Sequence, residues 1–374
     1  MKPAVMLIGL GGLGNVILGF LVREEGLGRI VCCDLNKEQG IQRCNLARLS
    51  ALAQGYTPSL SFASLDINDR EAVSEIVTKE KPEIILNAAS MLTWWLPDLL
   101  PSEQAALIKS AGFGVWLPVH MTLTLKLMEA LHEIDYKGIT LTAPFPDVVN
   151  CVLERLNLAP TCGVGNLDEI VPKVRLLAAD RLGVSIEKVS VLLVAHHALE
   201  PIVFGKPAEE CPPYFLRIEH EGKDVTEEVN GEELLFAPYP LPPGPAIHSL
   251  TAGSTARLVR ALLSDKDVLM HAPSPKGLPG GYPIIVSNKD VCIAPIEGLT
   301  VEEAISINER SHRFDGIERI EADGTVIFCA EAAEVLKNEL GYDCQRLSPR
   351  ESEERAKELI ARFREYAGRF RVNL

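Results

Sequence analysis

Gly9-Leu10-Gly11-Gly12-Leu13-Gly14 decides the reading of the fold. The stretch spells G-x-G-x-x-G, with glycines at 9, 11 and 14. Ahead of it, Val5-Met6-Leu7-Ile8 is an apolar run suited to a buried parallel strand. Behind it, Val16, Ile17, Phe20 and Leu21 recur at helical spacing, and Gly26 can end the helix. Strand, glycine turn and helix in that order make the motif informative. Gly9 is expected to allow the tight turn, Gly11 to let a pyrophosphate reach the backbone, and Gly14 to let helix and strand pack closely. Gly12 and Leu13 then open the helix, where free N–H groups and the dipole favour an anion.

The second half of the fingerprint follows at the right distance. Arg29-Ile30-Val31-Cys32-Cys33 reads as the next strand, and Asp34 closes it, 20 residues after Gly14. An acid there accepts hydrogen bonds from ribose hydroxyls and repels a 2′-phosphate, so NAD is expected over NADP. Lys37 and Arg43 nearby leave NADP as the second choice.

Length and composition bound the rest. A chain of 374 residues exceeds what one core usually holds, so two domains are expected. The balance of 37 basic against 51 acidic residues gives a net charge of −14, which disfavours nucleic acid or an anionic membrane as partner. Met1-Lys2-Pro3 enters a strand at once, leaving no expected room for a signal peptide, and no apolar stretch is long enough to span a bilayer. Nine scattered cysteines without a Cys-x-x-Cys pair imply neither a metal site nor a disulfide framework, and fit a cytoplasmic protein.

Along the chain, helices are expected over 36–54, 70–79, 119–134, 253–264 and 301–311, the last opened by a capping box of Thr300 with Glu303. Short strands are expected at Ser61–Ala63 and Ile139–Thr142. Ala322-Asp323-Gly324 between two β-prone runs signals a hairpin. Ser348 with Glu351 caps a last helix whose stripe is Leu359, Phe363 and Tyr366. Residues 201–248 read as a proline-rich antiparallel excursion with strands at Tyr214–Glu221 and Glu233–Phe236. Residues 272–283 are too rich in Pro and Gly for either regular element.

Glu83-Ile84-Ile85-Leu86-Asn87-Ala88-Ala89 is a buried strand ending in small residues. It resembles extended short-chain dehydrogenases and the N-terminal domain of saccharopine-dehydrogenase-like proteins. The resemblance implies that Asp66 and Ile67 border the adenine, and that Asn87, Ala88 and Ala89 border the ribose and nicotinamide. It covers cofactor binding only, because the chain has no Tyr-x-x-x-Lys. Trp94 and Trp95 in the loop that follows are read as covering a substrate, a cofactor or a subunit contact, or as plain core.

A second resemblance is to the lactate/malate dehydrogenase fold. It rests on Ala143–Asn150, on Gly163-Val-Gly-Asn-Leu-Asp-Glu through Arg181-Leu-Gly-Val184, and on Val189–Ala198 with its His196-His197 pair. The resemblance implies an α/β protein, with a Rossmann domain at 1–145 and an α+β substrate and oligomerisation domain at 146–374. It matches His197 to the family's proton-relay histidine, with His196 supporting. Alternation along a strand would let only one of the two face a cleft. The family's orienting Asp and substrate-gripping Arg fall at Ile170 and Lys173, with Asp168 and Glu169 slightly earlier and Arg175 slightly later. Lysine lacks arginine's bidentate fork, so substrate identity does not transfer.

Lys276 and Tyr282 are further candidates for closing over a substrate. The expectation is therefore an NAD(P)-dependent oxidoreductase acting on a small hydroxy- or amino-acid-like substrate. Its homo-oligomer contact would be Trp94-Trp95 and residues 272–283. The alternative is a nucleotide-binding sensor or a non-redox enzyme that holds NAD(H).

Overall fold

Val5 to Ile8 are almost wholly buried, as a central parallel strand covered on both faces requires. The structure, a computed structural model, describes residues 3–205, 210–287 and 290–372. Its first half alternates strand and helix: β1 (Ala4–Ile8), α1 (Gly12–Leu21), β2 (Arg29–Asp34), α2 (Lys37–Leu52), β3 (Ser59–Ser64), α3 (Arg70–Glu80) and β4 (Ile84–Asn87). Then follow α4 (Ser102–Lys109), α5 (Leu117–Glu133), β5 (Ile139–Thr142), α6 (Pro146–Glu154) and β6 (Cys162–Gly163). The six strands form one sheet in the order β3-β2-β1-β4-β5-β6, every neighbouring pair parallel. Met6 sits between Val31 and Ile85 in register. The strand order reverses between β1 and β4, and ligands of such sheets bind beyond the strands' carboxyl ends at that point.

The second half holds α7 (Leu167–Leu182), β7 (Val189–Val194), α8 (Glu200–Phe204), β8 (Phe215–His220), β9 (Lys223–Asp224), α9 (Gly231–Phe236) and α10 (His248–Leu262). It continues with β10 (Val268–Pro273), β11 (Gly281–Ser287), β12 (Asp290–Ile293), α11 (Val301–Ser311), β13 (Ile317–Ile320) and β14 (Val326–Phe328). It ends with α12 (Ala330–Leu340), β15 (Arg346–Leu347) and α13 (Ser352–Arg369). Its strands make three antiparallel sheets, β7-β8-β9, β10-β11-β12 and β13-β14-β15. Both expected capping boxes are formed, Thr300 with Glu303 and Ser348 with Glu351.

Two expectations are corrected. Glu233–Phe236 lies in α9, because a run of four residues fits either period and packing decides. Residues 272–283 are the end of β10, a tight turn and the start of β11, with Ala272 facing Tyr282 in register. The parallel sheet reaches β6, and the C-terminal α13 packs on α5, where Trp116, just ahead of α5, meets Phe363 with ring centroids 5.1 Å apart. Among the described residues no helix is long and apolar enough to cross a membrane.

Candidate active site

The glycine turn is shaped by close backbone approach. Gly9 has φ +88°, and a Cβ there would stand 2.6 Å from the Ala89 nitrogen. A Cβ on Gly14 would overlap the Gly9 carbonyl oxygen, so α1 can start this close to β1 only with glycine. At Gly11, by contrast, nothing lies within 4 Å of where a Cβ would be. No side chain caps α1, and its first turn has no acid, so the helix N-terminus at Gly12 and Leu13 keeps its anion-binding character. Asp34 at the end of β2 accepts the Leu10 N–H at 2.6 Å and the Asn36 N–H at 2.8 Å. The carboxylate is thereby fixed beside the glycine turn.

The neighbouring strand ends complete this edge. The Asn87 side chain is buried, donating to Thr124 Oγ1 (3.0 Å) and accepting from the Ala89 N–H (3.0 Å). The Ala88 N–H donates to Ile8 O at 2.8 Å, which keeps Ala88 and Ala89 against the glycine turn. Asp66 accepts from Asn68 in the turn after β3, and Ile67 is buried beneath it. Trp94 is part exposed and donates its indole N–H to His248 Nε2 at 3.0 Å, whereas Trp95 is half-buried.

Beyond β5 the backbone enters the left-handed region at Phe145 (φ 46°), and after β6 at Asn166 (φ 55°). Two such non-glycine residues beside one cluster of charge mark a place where the surrounding packing holds strain. Asp147, on the first turn of α6, accepts the side-chain amide of Asn166 and the backbone N–H of His197 (3.1 Å). His197 Nδ1 lies 3.0 Å from Asp315 Oδ2. The imidazole is flanked by the rings of Phe113 (4.8 Å) and Phe145 (5.2 Å). Asp315, in the turn between α11 and β13, is a carboxylate partner of His197 that the sequence reading missed.

The two histidines do not alternate across a strand, as the sequence reading expected. β7 stops at Val194, and the chain turns into a short 3-10 segment at His197, so both rings reach the same carboxylate. His196 Nδ1 is 3.3 Å from Asp315 Oδ2, but the His196 side chain is wholly buried, while that of His197 keeps 21% exposure. Burial and the nearby His312 push the His196 pKa well below the usual histidine value, so this ring stays neutral. For His197 burial acts the same way. The charge and hydrogen bond of Asp315, with Asp147 and Glu200, outweigh it and lift the pKa to about 9. An ionisation near neutrality, the expectation for an unperturbed histidine, is thus displaced upward. Burial would raise Asp315, yet the charge and hydrogen bond of His197, with His196 and His312, hold it below the usual carboxylate range. Burial lifts Asp147 to about 6 against the opposing effect of His197. Burial likewise lifts Glu200 to about 7, again against His197.

The remaining sequence candidates stand elsewhere. Lys173 is buried, donating to the carbonyls of Val203 (3.0 Å) and Leu235 (2.9 Å), so it ties α7 to α8 and α9. Arg175 binds the carbonyls of Val189 and Ile186 and anchors the start of β7. Ile170 is buried in core, and Asp168 pairs with Arg257 and accepts the backbone N–H of His271, not an imidazole. Lys276 pairs with Asp290 at the surface. Tyr282 is fully buried and donates to Pro279 O, because its segment is a strand within a sheet. The backbone of Gly281 pairs with Ala195, so this strand supports the His196-His197 turn from behind. Among the described residues no group of three or more His, Cys, Asp or Glu side chains is arranged to hold a metal ion.

Comparison of the whole structure with solved ones decides the architecture. Lactate dehydrogenase from Eimeria maxima, solved with NADH and oxamate, superposes with a TM-score of 0.57 at 16% identity, covering 84% of this chain and 92% of that one. The fold is that of the lactate and malate dehydrogenases. Malate dehydrogenase from Cryptosporidium parvum gives a TM-score of 0.58 at 13% identity, covering 84% of this chain and 98% of its own. Malate dehydrogenase from Plasmodium falciparum gives 0.57 at 14% identity, covering 90% and 100%. No family model matches the sequence, and no curated protein is similar to it by sequence. The likeness to the lactate and malate dehydrogenases is therefore one of fold, and chemistry has to be argued from the site.

Proposed function

We propose that the chain is an NAD-dependent oxidoreductase in which His197 is the general acid/base. The observation that carries the proposal is the His197–Asp315 pair, its imidazole still partly exposed, in the same protein as the open glycine turn and Asp34. Gly11 and the uncapped start of α1 suit a diphosphate. Each Asp34 oxygen accepts one backbone N–H and retains a lone pair for a ribose hydroxyl, and the charge opposes a 2′-phosphate. When bound, the dinucleotide supplies or accepts the hydride. His197, protonated at neutral pH, holds the proton that a developing alkoxide or amine nitrogen takes up in the reduction direction, and takes it back when unprotonated in the reverse, while Asp315 keeps the ring oriented. The motif-level resemblance of residues 83–89 to saccharopine-dehydrogenase-like proteins supports the same cofactor reading.

The substrate follows from the charges around the ring. Those acting on His197 are the carboxylates Asp315, Asp147 and Glu200, and Lys173 and Arg175 are committed to backbone carbonyls elsewhere. Such a site suits an amine- or hydroxyl-bearing substrate better than a 2-oxo acid held by its carboxylate. Phe113 and Phe145 lie against the His197 ring itself, where an aromatic neighbour favours its charged form. A panel of amino alcohols, amino acids and hydroxy acids, offered with NAD above about pH 9 where His197 is unprotonated and can act as base, and followed at 340 nm, tests this reading. Turnover should favour amine-bearing members, and His197→Asn should lower kcat by about a hundredfold. Best turnover on a simple hydroxy acid would contradict the substrate reading. Protein purified with absorbance at 340 nm, and no turnover across the panel, would fit the sensor alternative.

A further inference from the structure

The sequence reading made Trp94 a substrate residue and passed over His248, yet the structure joins the two above the glycine turn. His248 opens α10, which packs along α1. Its Cε1 lies 3.3 Å, and its Nδ1 3.6 Å, from where a Cβ on Gly12 would stand. The imidazole therefore rests on the first residue of α1 and faces the place where a diphosphate meets that helix. It is 4% exposed, and it is carried by a long helix whose next turn is itself tied down, since Thr251 donates to Glu169 Oε1 at 2.7 Å. The ring's position is thus built in.

Its protonation is also set. The Trp94 indole N–H can only donate, and it is 3.0 Å from His248 Nε2. Nε2 must then be the acceptor, and a neutral ring carries its proton on Nδ1, the nitrogen on the glycine side. Burial disfavours the charged form of this histidine, so neutral is the state to consider. Among the described residues Nδ1 makes no hydrogen bond, which leaves one free donor beside the turn that would receive an anion.

We infer that His248 is a cofactor-binding residue: its Nδ1–H donates to the diphosphate of a dinucleotide on the glycine turn, and Trp94 is the positioning residue that fixes the required tautomer. The second half of the chain thereby closes a site that α1 and Asp34 only begin, and the loop after β4 senses its occupancy through one hydrogen bond. The inference rests on the dinucleotide reading above.

The test measures binding, without turnover. Calorimetry with NADH and ADP, and competition with adenosine, are run on wild type, His248→Ala, His248→Gln and Trp94→Phe, with circular dichroism as the fold control. His248→Ala should weaken NADH and ADP by about ten- to a hundredfold, the scale of one hydrogen bond to a charged group. Adenosine, which lacks phosphate, should be unaffected. His248→Gln keeps a donor and should recover part of the loss. Trp94→Phe should weaken NADH severalfold with adenosine unchanged, and tryptophan emission should respond to NADH in wild type more than in this variant. Unchanged or tighter NADH binding by His248→Ala would overturn the inference, since the ring would then merely cover the turn. An equal loss of adenosine affinity would overturn it too, by showing a structural role. If His248→Ala fails to fold, the Gln and Phe variants still decide. Wild-type protein that binds neither NADH nor ADP would instead defeat the dinucleotide reading itself.

Discussion

Replacing Asp315 by Asn removes one charge from beside His197 and keeps the size of the side chain. In the wild type the Asp315 carboxylate, 3.0 Å from Nδ1 and 5% exposed, is the main reason that the His197 pKa lies near 9 despite burial. Two unit charges about 4 Å apart at an effective dielectric constant of about 20 interact by about 4 kcal/mol. At about 1.4 kcal/mol for each pKa unit, that is about three units. Asp147 and Glu200 remain, so the His197 pKa in Asp315→Asn should fall to the ordinary histidine range or somewhat below it. The sign is definite. A histidine whose folded pKa is raised stabilises the protein fully below its unfolded value of about 6.5, and that stabilisation disappears as pH rises through the folded pKa, here about 9. The wild type should therefore lose stability between about pH 6.5 and 9, and the variant should lack that loss. NMR titration of the labelled imidazole follows the proton directly and needs no substrate. A variant whose His197 still titrates near pH 9 would refute the assignment of Asp315 and shift the role to Asp147 and Glu200.

Two glycines should behave oppositely. Gly11→Val adds a side chain to open space, so it should keep the fold by circular dichroism while abolishing dinucleotide binding; Gly14→Ala should cost stability first, because its Cβ overlaps the Gly9 carbonyl. In thermal melts a Gly14→Ala variant as stable as wild type would contradict the close approach of α1 and β1. A homo-oligomer remains our proposal, but not through residues 272–283, which are largely buried within one chain. The exposed Leu35, Leu46, Leu49 and Leu52 on and beside α2 are the better contact, and light scattering should report more than one copy at micromolar concentration. Leu49→Glu should shift that mass to a monomer, and an unchanged mass would refute the contact.

How legible the molecule was depended on whether a feature is local. The glycine turn, β1, β2 and Asp34 lie within one strand-turn-helix-strand unit, and each residue there has a role that its type alone suggests. The capping boxes at Thr300 and Ser348 span three residues and were equally readable. Asp315 was not, because it is 118 residues from His197 and no local pattern joins them. Likewise His248 reaches Trp94 across 154 residues. Lys173 misled for the opposite reason: it sits at a plausible motif spacing, but packing commits its ammonium to two carbonyls, one in α8 and one in α9. The β10–β11 hairpin was hidden by its prolines and glycines, which argue against strands locally. Gly281 and Tyr282 nevertheless take strand positions there, paired with β10 and supported by Ala195.

The central claim is that Asp34 and the open glycine turn hold NAD(H). Equilibrium titration of the purified protein with NADH and with NADPH addresses it most directly. Asp34 is fixed by Leu10 and Asn36 where a 2′-phosphate would be repelled, so NADH should bind tenfold or more tightly than NADPH, about 1.4 kcal/mol or more. Equal or tighter NADPH binding would contradict the role of Asp34, and no binding of either nucleotide would contradict the claim itself.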